Sequence, residues 1–228
     1  VLAHEFGHFL FGSGHIENIT HLGLMTGGPV WNASRGMHSW ERHKLNWSDY
    51  IDVPLRVNST FEIDDYHESG KALRIKLSEN EWYVFENHQK LSIHDWSKDK
   101  GIYIYHIKNA QRFSPIVEIK CADGNWDFEI DQKDKKLLRT VPNRKGKNEI
   151  NYKRSVKRKL YSCYNEVYGN NDAWGDKYDA FDLDYNNIFS PFSNPPTNTK
   201  PENDFIVEIS QKKNNTYKLN FFFKNIYE

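Results

Sequence analysis

The sequence predicts an α+β fold, in which a short helical region precedes a longer β-rich region. Residues 1–12, VLAHEFGHFLFG, are dense in apolar and aromatic side chains and predict a buried helix that ends near the glycines at 12 and 14. From residue 51 onward, segments such as ALRIKL, EWYVFE and GIYIYHI alternate apolar and polar residues and are rich in β-branched and aromatic types. This period of two is typical of strands, and the segments HESGK and KDKG between them have turn composition.

The remaining elements follow in order along the chain. Residues 13–37 are glycine-rich and predict a loop, whereas HSWERHKLNW (38–47) places apolar residues three or four apart and predicts a second helix. At the other end, DFIVEIS and TYKLNFFF flank QKKNN and predict a terminal hairpin. We therefore divide the chain into a short helical region, residues 1–50, and a β-rich domain, residues 51–228.

Composition excludes several classes of protein. The chain has 228 residues with 31 Lys and Arg against 31 Asp and Glu, so its net charge offers no whole-chain argument for nucleic acid or an anionic membrane as partner. A mean hydropathy of −0.82 without a long apolar run predicts no membrane span. The 7 Trp, 13 Tyr and 14 Phe argue against disorder, because aromatic burial offsets the entropy of ordering a chain.

Two local features leave alternatives open. Residues 133–159 contain twelve Lys or Arg, which suggests nucleic-acid binding, but Tyr152 is the one aromatic residue among them and they match no known motif. We interpret this stretch as a solvated loop facing the acidic residues 165–208, and we expect no nucleic-acid partner. Cys121 and Cys163 are too few for a disulfide framework, and either one bridge or two free thiols fits the sequence.

Residues 4–8 form the motif HExxH, which is the strongest chemical signal in the chain. Positions four apart lie on one face of a helix, so His4 and His8 can both present a ring nitrogen to one Zn²⁺. Glu5 is then placed to accept a proton from water that attacks a peptide carbonyl, which predicts a catalytic general base. The alternative is a helix in which two partly buried histidines make ordinary hydrogen bonds.

A catalytic zinc site needs a third protein ligand. His15 is the best candidate because Gly12 lets the chain turn back toward the helix, and Glu17 and His21 are lesser candidates. The arrangement resembles the metzincin pattern HExxHxxGxxH, with one extra residue before the glycine and before the last histidine. Met25, within HLGLMTGG, resembles the Met-turn that underlies the zinc in metzincins, and its alternative role is that of a core methionine.

The ordered succession of motifs resembles the M6 peptidases, the immune inhibitor A-like secreted metalloproteases. The matching pieces are HEFGHFLFG, LMTGG, SWERHKLNW, EWYVFENHQK, GIYIYHI and FSPFSNPPT before DFIVEIS. SWERHKLNW is similar to the family's A-W-E-[KR]-x-x-L-G-W helix. In the family the third ligand is usually acidic, so the Gly-Ser-Gly-His of this chain departs from that pattern.

This resemblance implies a secreted zinc metalloendopeptidase that acts on proteins or peptides. Residues 1–50 would be the C-terminal part of a zincin-type catalytic domain whose N-terminal part is missing, with an active-site helix and a Met-turn. Residues 51–228 would be a sandwich-like, β-rich domain. The implied site consists of Glu5 as catalytic base, a zinc ion on His4, His8 and His15, and Met25 in the Met-turn.

Calcium often accompanies zinc in this family, and one acidic stretch offers oxygen ligands for it. The candidates are Asp172, Asp176, Asp179, Asp182 and Asp184. Their spacing is not that of an EF-hand, and the alternative is an acidic solvated loop. A different function for the whole chain also remains open at this point: a non-catalytic adhesin or carbohydrate-binding β-sandwich in which HExxH is vestigial.

Overall fold

The computed structural model describes residues 2–12, 14–16, 22–25, 36–122, 126–131, 137–142, 158–161, 178–197 and 199–224. These residues are mostly β-sheet with few helices, which confirms the predicted α+β, β-rich class. The helices are α1 (Leu2–Phe11), α2 (Ser39–Lys44), α3 (Tyr66–Ser69) and a 3-10 helix (Pro201–Asn203). The strands are β1 (Ile51–Asp52), β2 (Ser59–Ile63), β3 (Leu73–Ser78), β4 (Glu81–His88), β5 (Gly101–Lys108), β6 (Ile116–Lys120), β7 (Trp126–Asp131), β8 (Leu137–Pro142), β9 (Arg158–Tyr161), β10 (Ile188–Phe189), β11 (Phe205–Lys213) and β12 (Thr216–Phe223).

The described strands form three sheets. The first sheet has the order β1-β3-β4-β5-β6, with β1 parallel to β3 and the other neighbours antiparallel. The second sheet has the order β10-β11-β12-β2, and a smaller third sheet has the order β8-β7-β9. The predicted terminal hairpin is confirmed as β11 and β12, which pair antiparallel from Phe205↔Phe223 to Lys213↔Thr216.

The first and second sheets pack face to face through a shared core. Alternate residues of β4 and β5 point into it, among them Tyr83, Phe85 and Ile104. From the second sheet, Leu219 and Phe221 of β12 join the same core. Residues two apart on a strand share a face, so the period-two pattern of the sequence generates this interface.

The opposite face of the first sheet is covered by the N-terminal region, so β4 and β5 are buried on both sides. Trp82 and Tyr105 belong to a second core that also contains Phe11, Met25 and Trp40. The Trp40 ring stacks on Phe11 with centroids 6.2 Å apart, and its Nε1 donates a hydrogen bond of 2.9 Å to the carbonyl oxygen of residue 110. This core joins residues on both sides of the boundary that we predicted at residue 50.

Two further observations bear on the sequence predictions. Cys121 is buried and disulfide-bonded, while Cys163 lies outside the described residues. Among the helices of the described ranges, none is long and apolar enough to cross a membrane.

Candidate metal centre

Helix α1 places two of the predicted zinc ligands side by side. Its buried face carries His4, Gly7 and Phe11, at the spacing of three and four residues that aligns side chains on one helical face. His8 follows His4 by one turn, and the two ring centroids are 4.9 Å apart. Gly12 ends the helix with φ of 80°, a left-handed conformation that glycine adopts without steric cost.

The turn at Gly12 brings His15 back to the same point. Its ring centroid lies 5.2 Å from that of His4 and 4.7 Å from that of His8. One ligand nitrogen from each of the three histidines lies within 4.8 Å of the others. The structure thus brings together the three residues predicted as ligands, whereas the lesser candidates Glu17 and His21 lie outside the described residues.

The spacing of the ring nitrogens suits a tetrahedral ion. The Nε2 atoms of His4 and His15 are 3.2 Å apart. Two nitrogens bound at 2.0–2.1 Å with a tetrahedral angle would be about 3.3 Å apart, so Zn²⁺ fits between them with little movement. A direct hydrogen bond between the two rings would have a similar length.

Backbone carbonyls set the tautomers of the two helical histidines. His4 Nδ1 lies 2.7 Å from the carbonyl oxygen of Leu24, and His8 Nδ1 lies 3.2 Å from that of Gly12. A carbonyl oxygen only accepts, so each Nδ1 carries the proton and donates it. In a neutral imidazole the Nε2 atom then carries the lone pair, which is the arrangement of many metal-ligating histidines.

Met25 lies against α1 between the two helical ligands. It is buried, and a Cβ atom built at Gly7 would overlap its Sδ atom, so only glycine at this position permits the approach. The carbonyl oxygen of Met25 accepts a 2.8 Å hydrogen bond from Ile16 N, which ties this turn to the residue after His15. Met25 belongs to a hydrophobic core, which was the alternative role considered from the sequence, and its role in a Met-turn stays a prediction.

Glu5, the predicted base, is solvent-exposed on α1. It follows His4 directly, so its side chain is offset by about 100° around the helix from that of the ligand. Phe6 and Phe9 are also exposed on this helix, and their rings stack with centroids 5.9 Å apart. The Glu5 carboxylate is therefore accessible to water and to a substrate.

A buried carboxylate that the sequence interpretation missed supports the Met25 turn. Glu41 on α2 is 0% exposed, and its carboxylate accepts N–H groups from Met25 at 2.5 Å, His38 at 2.7 Å and Leu24 at 3.0 Å. Burial raises the pKa of Glu41 to about 7, although the three N–H donors favour the charged form. The signal in the sequence was the capping-box spacing of residues 38 and 41, which is obscured because the N-cap is His38 instead of Ser or Thr.

The first sheet also reaches the turn that carries His15. A Cβ atom at Gly14 would overlap Ser114 Oγ and would lie 3.3 Å from the carbonyl oxygen of Phe113. The connection between β5 and β6 therefore packs directly against the residue before His15, and 66% of the surface of Phe113 is exposed. The β-rich region thus contacts the turn that brings His15 to the helix.

A second group of potential ligands lies deeper, around His88. Its Nδ1 is 2.9 Å from Asp95 and its Nε2 is 3.0 Å from Glu86, and His67 lies 3.9 Å from Asp95. Burial would lower the pKa of His88, but the two carboxylates raise it to about 10, so the ring is an imidazolium at neutral pH. Asp95 also accepts the backbone N–H of Ser97 at 3.0 Å. The hydrogen bonds and opposite charges of these side chains explain why they lie together in the protein interior.

The ion pairs of His88 with Glu86 and Asp95 should make the free energy of unfolding depend on pH. The unfolded chain loses the His88 proton near pH 6.5, whereas the folded protein keeps it until about pH 10. This contribution is fully present below pH 6.5 and should decline by about 1 kcal/mol per pH unit as the pH rises toward 10.

Denaturant unfolding of the wild type and His88→Gln at pH 6, 8 and 10 measures this effect. The difference in free energy of unfolding between the two proteins should shrink as the pH rises. A difference that stays constant over this range would show that His88 is neutral in the folded protein.

The other predicted sites are only partly described. Asp172 and Asp176 lie outside the described residues, and so does most of the basic stretch 133–159. Of the remaining calcium candidates, Asp182 lies 3.2 Å from Lys212 Nζ and accepts a hydrogen bond from the Tyr217 hydroxyl. Calcium binding and the absence of a nucleic-acid partner therefore stay predictions.

Comparison of the chain with protein-family models, with curated proteins and with solved structures finds no match.

Proposed function

We propose that this protein is a zinc-dependent metalloendopeptidase of the M6 type. The observation that carries the proposal is the convergence of His4, His8 and His15, whose ligand nitrogens lie within 4.8 Å of one another. In His4 and His8 the Nδ1 atom donates to a backbone carbonyl oxygen, so the lone pair is on Nε2, where it could bind a metal. Three imidazoles are one of the donor sets of a catalytic zinc site, and Glu5 follows the first of these histidines in the helix.

The chain's own residues divide the work of peptide hydrolysis. His4, His8 and His15 would hold the ion and leave a fourth position open. Bound Zn²⁺ supplies Lewis acidity, which polarises a substrate carbonyl and makes water more acidic. The Glu5 carboxylate would accept the proton of the attacking water and then donate it to the departing amine nitrogen. The exposure of Glu5 gives it access to both.

The disulfide at Cys121 supports the predicted extracellular location. Disulfides persist in oxidising compartments and are rare in the cytosol, where thiols are kept reduced. Secretion is part of this proposal, because the M6 peptidases that the chain resembles are secreted and work in oxidising surroundings.

Metal analysis of single variants tests the proposal. We expect about one zinc per wild-type chain, and a loss of zinc in His4→Ala, His8→Ala and His15→Ala. His94→Ala, which removes an exposed histidine distant in sequence from α1, should keep its zinc.

Each other outcome has a defined meaning. Full zinc occupancy in His15→Ala would move the third ligand to Glu17 or His21. A wild-type protein that binds no zinc would contradict the proposal and favour the non-catalytic binding module, whose ligand affinity would be insensitive to chelators.

A further inference from the structure

One peptide group lies between a zinc ligand and a buried carboxylate. The carbonyl oxygen of Leu24 accepts the Nδ1–H of His4 at 2.7 Å. The N–H of the same peptide group, which belongs to Met25, donates to Glu41 Oε1 at 2.5 Å. Glu41, the Leu24–Met25 peptide and His4 therefore form a continuous chain of hydrogen bonds that ends at the Nε2 lone pair of His4.

We propose that Glu41 is a positioning residue that acts on His4 through this peptide and strengthens its binding of the metal. The inference rests on the proposed function, in which His4 is a zinc ligand. Glu41 itself touches neither the metal position nor a substrate.

The physical reason is polarisation along the chain of hydrogen bonds. A carboxylate that accepts an N–H draws positive charge toward that end of the peptide and makes its carbonyl oxygen a stronger acceptor. A stronger acceptor at Nδ1 raises the electron density at Nε2 of His4, which makes the imidazole a better ligand. Metal-ligating histidines commonly donate to a carboxylate or to a carbonyl, and here a carboxylate lies behind the carbonyl.

Geometry adds a second contribution from the same side chain. Glu41 Oε2 accepts N–H groups from Leu24 and from His38, the N-cap residue of α2, so the carboxylate holds the turn against the N-terminus of that helix. Helix α2 is anchored in the core by Trp40, which is 0% exposed. The carbonyl oxygen that orients His4 is thereby fixed relative to the first sheet, and the ligand is oriented before the metal binds.

Glu41→Gln, measured at pH 8 to 9 where the Glu41 carboxyl group is ionised, tests the inference because it keeps the shape of the side chain and removes its charge. One carboxylate oxygen becomes an NH₂ group that cannot accept from a backbone N–H. We expect the zinc dissociation constant to increase about 10–100-fold, the usual effect of losing a group behind a ligand. The absorption spectrum of the Co²⁺-substituted protein should also shift, since the donor strength of His4 changes.

Glu86→Gln is the matched control. Glu86 is equally buried and accepts an N–H from Ser39 on α2, yet it makes no hydrogen bond to the Leu24–Met25 peptide. The Glu86→Gln substitution should lower the free energy of unfolding while leaving the zinc dissociation constant and the Co²⁺ spectrum unchanged. Equal weakening of zinc binding in both variants, or none in folded Glu41→Gln, would overturn the inference.

A measurement on the unsubstituted protein keeps the inference testable even if Glu41→Gln fails to fold. On addition of zinc, the amide proton of Met25 should move downfield by more than that of His38, because only the former belongs to the chain that ends at His4. Unequal shifts support the inference and equal shifts overturn it. A wild-type protein that binds no zinc contradicts the proposed function as well, whereas bound zinc with equal shifts contradicts this inference alone.

Discussion

Replacing Glu5 by Gln should lower kcat by about 10²–10⁴-fold while zinc content stays near one per chain. Gln has the shape of Glu but cannot accept a proton from the attacking water, and it is not among the three ligand residues. Glu5 is exposed next to a buried ligand, so the substitution leaves the packing of α1 unchanged. Steady-state hydrolysis of a peptide by the full-length, zinc-loaded protein, run beside a zinc assay, measures both quantities.

Glu62→Gln is the control for this substitution, since it removes an exposed carboxylate on β2. It should leave kcat unchanged. If Glu5 only stabilises the start of the helix, Glu5→Gln would change the free energy of unfolding and leave kcat nearly as it was. Retained activity in Glu5→Gln would exclude Glu5 as the base.

Replacing Trp40 by Ala should lower the free energy of unfolding by about 3–5 kcal/mol, the cost of removing a buried indole from a packed core. The Trp40 ring joins Phe11 of α1 to the first sheet, and its Nε1–H satisfies the carbonyl oxygen of Ala110. Loss of the ring leaves a cavity and a buried acceptor without its donor. Urea unfolding at fixed pH, with and without zinc, measures the change.

Trp47 provides a matched control three residues beyond the same helix, because 63% of its surface is exposed. Trp47→Ala should change stability by less than about 1 kcal/mol, as expected for a surface position. Equal losses in the two variants would show that the N-terminal region does not depend on the core contacts of Trp40.

Local patterns in the sequence were sufficient to predict most elements near the site. The spacing of four residues between His4 and His8 places both on one face of a helix, and the structure has them 4.9 Å apart between ring centroids. The terminal hairpin followed from two alternating segments around a polar turn. These predictions depend on the geometry of a single element or of two adjacent ones.

The burial of the central strands, β4 and β5, was harder to predict from the sequence. Alternation of apolar and polar residues indicates a strand with one face in the core, yet β4 and β5 are buried almost throughout. Their polar side chains, such as Glu86 and His88, point into a covered face and are paired there. The N-terminal region supplies that cover, and its position is not encoded in the strands themselves.

Local spacing was enough to predict the helix that carries His4 and His8, because backbone periodicity and side-chain spacing are properties of a single element. The approach of His15 to these two residues depends on the tertiary structure, since the turn at Gly12 has to bring it back to the helix. The identity of a third zinc ligand stays a prediction. The contacts of Glu41 also depend on the tertiary structure, since its carboxylate meets N–H groups 16 and 17 residues away in the chain, and such contacts form only when separate segments pack together.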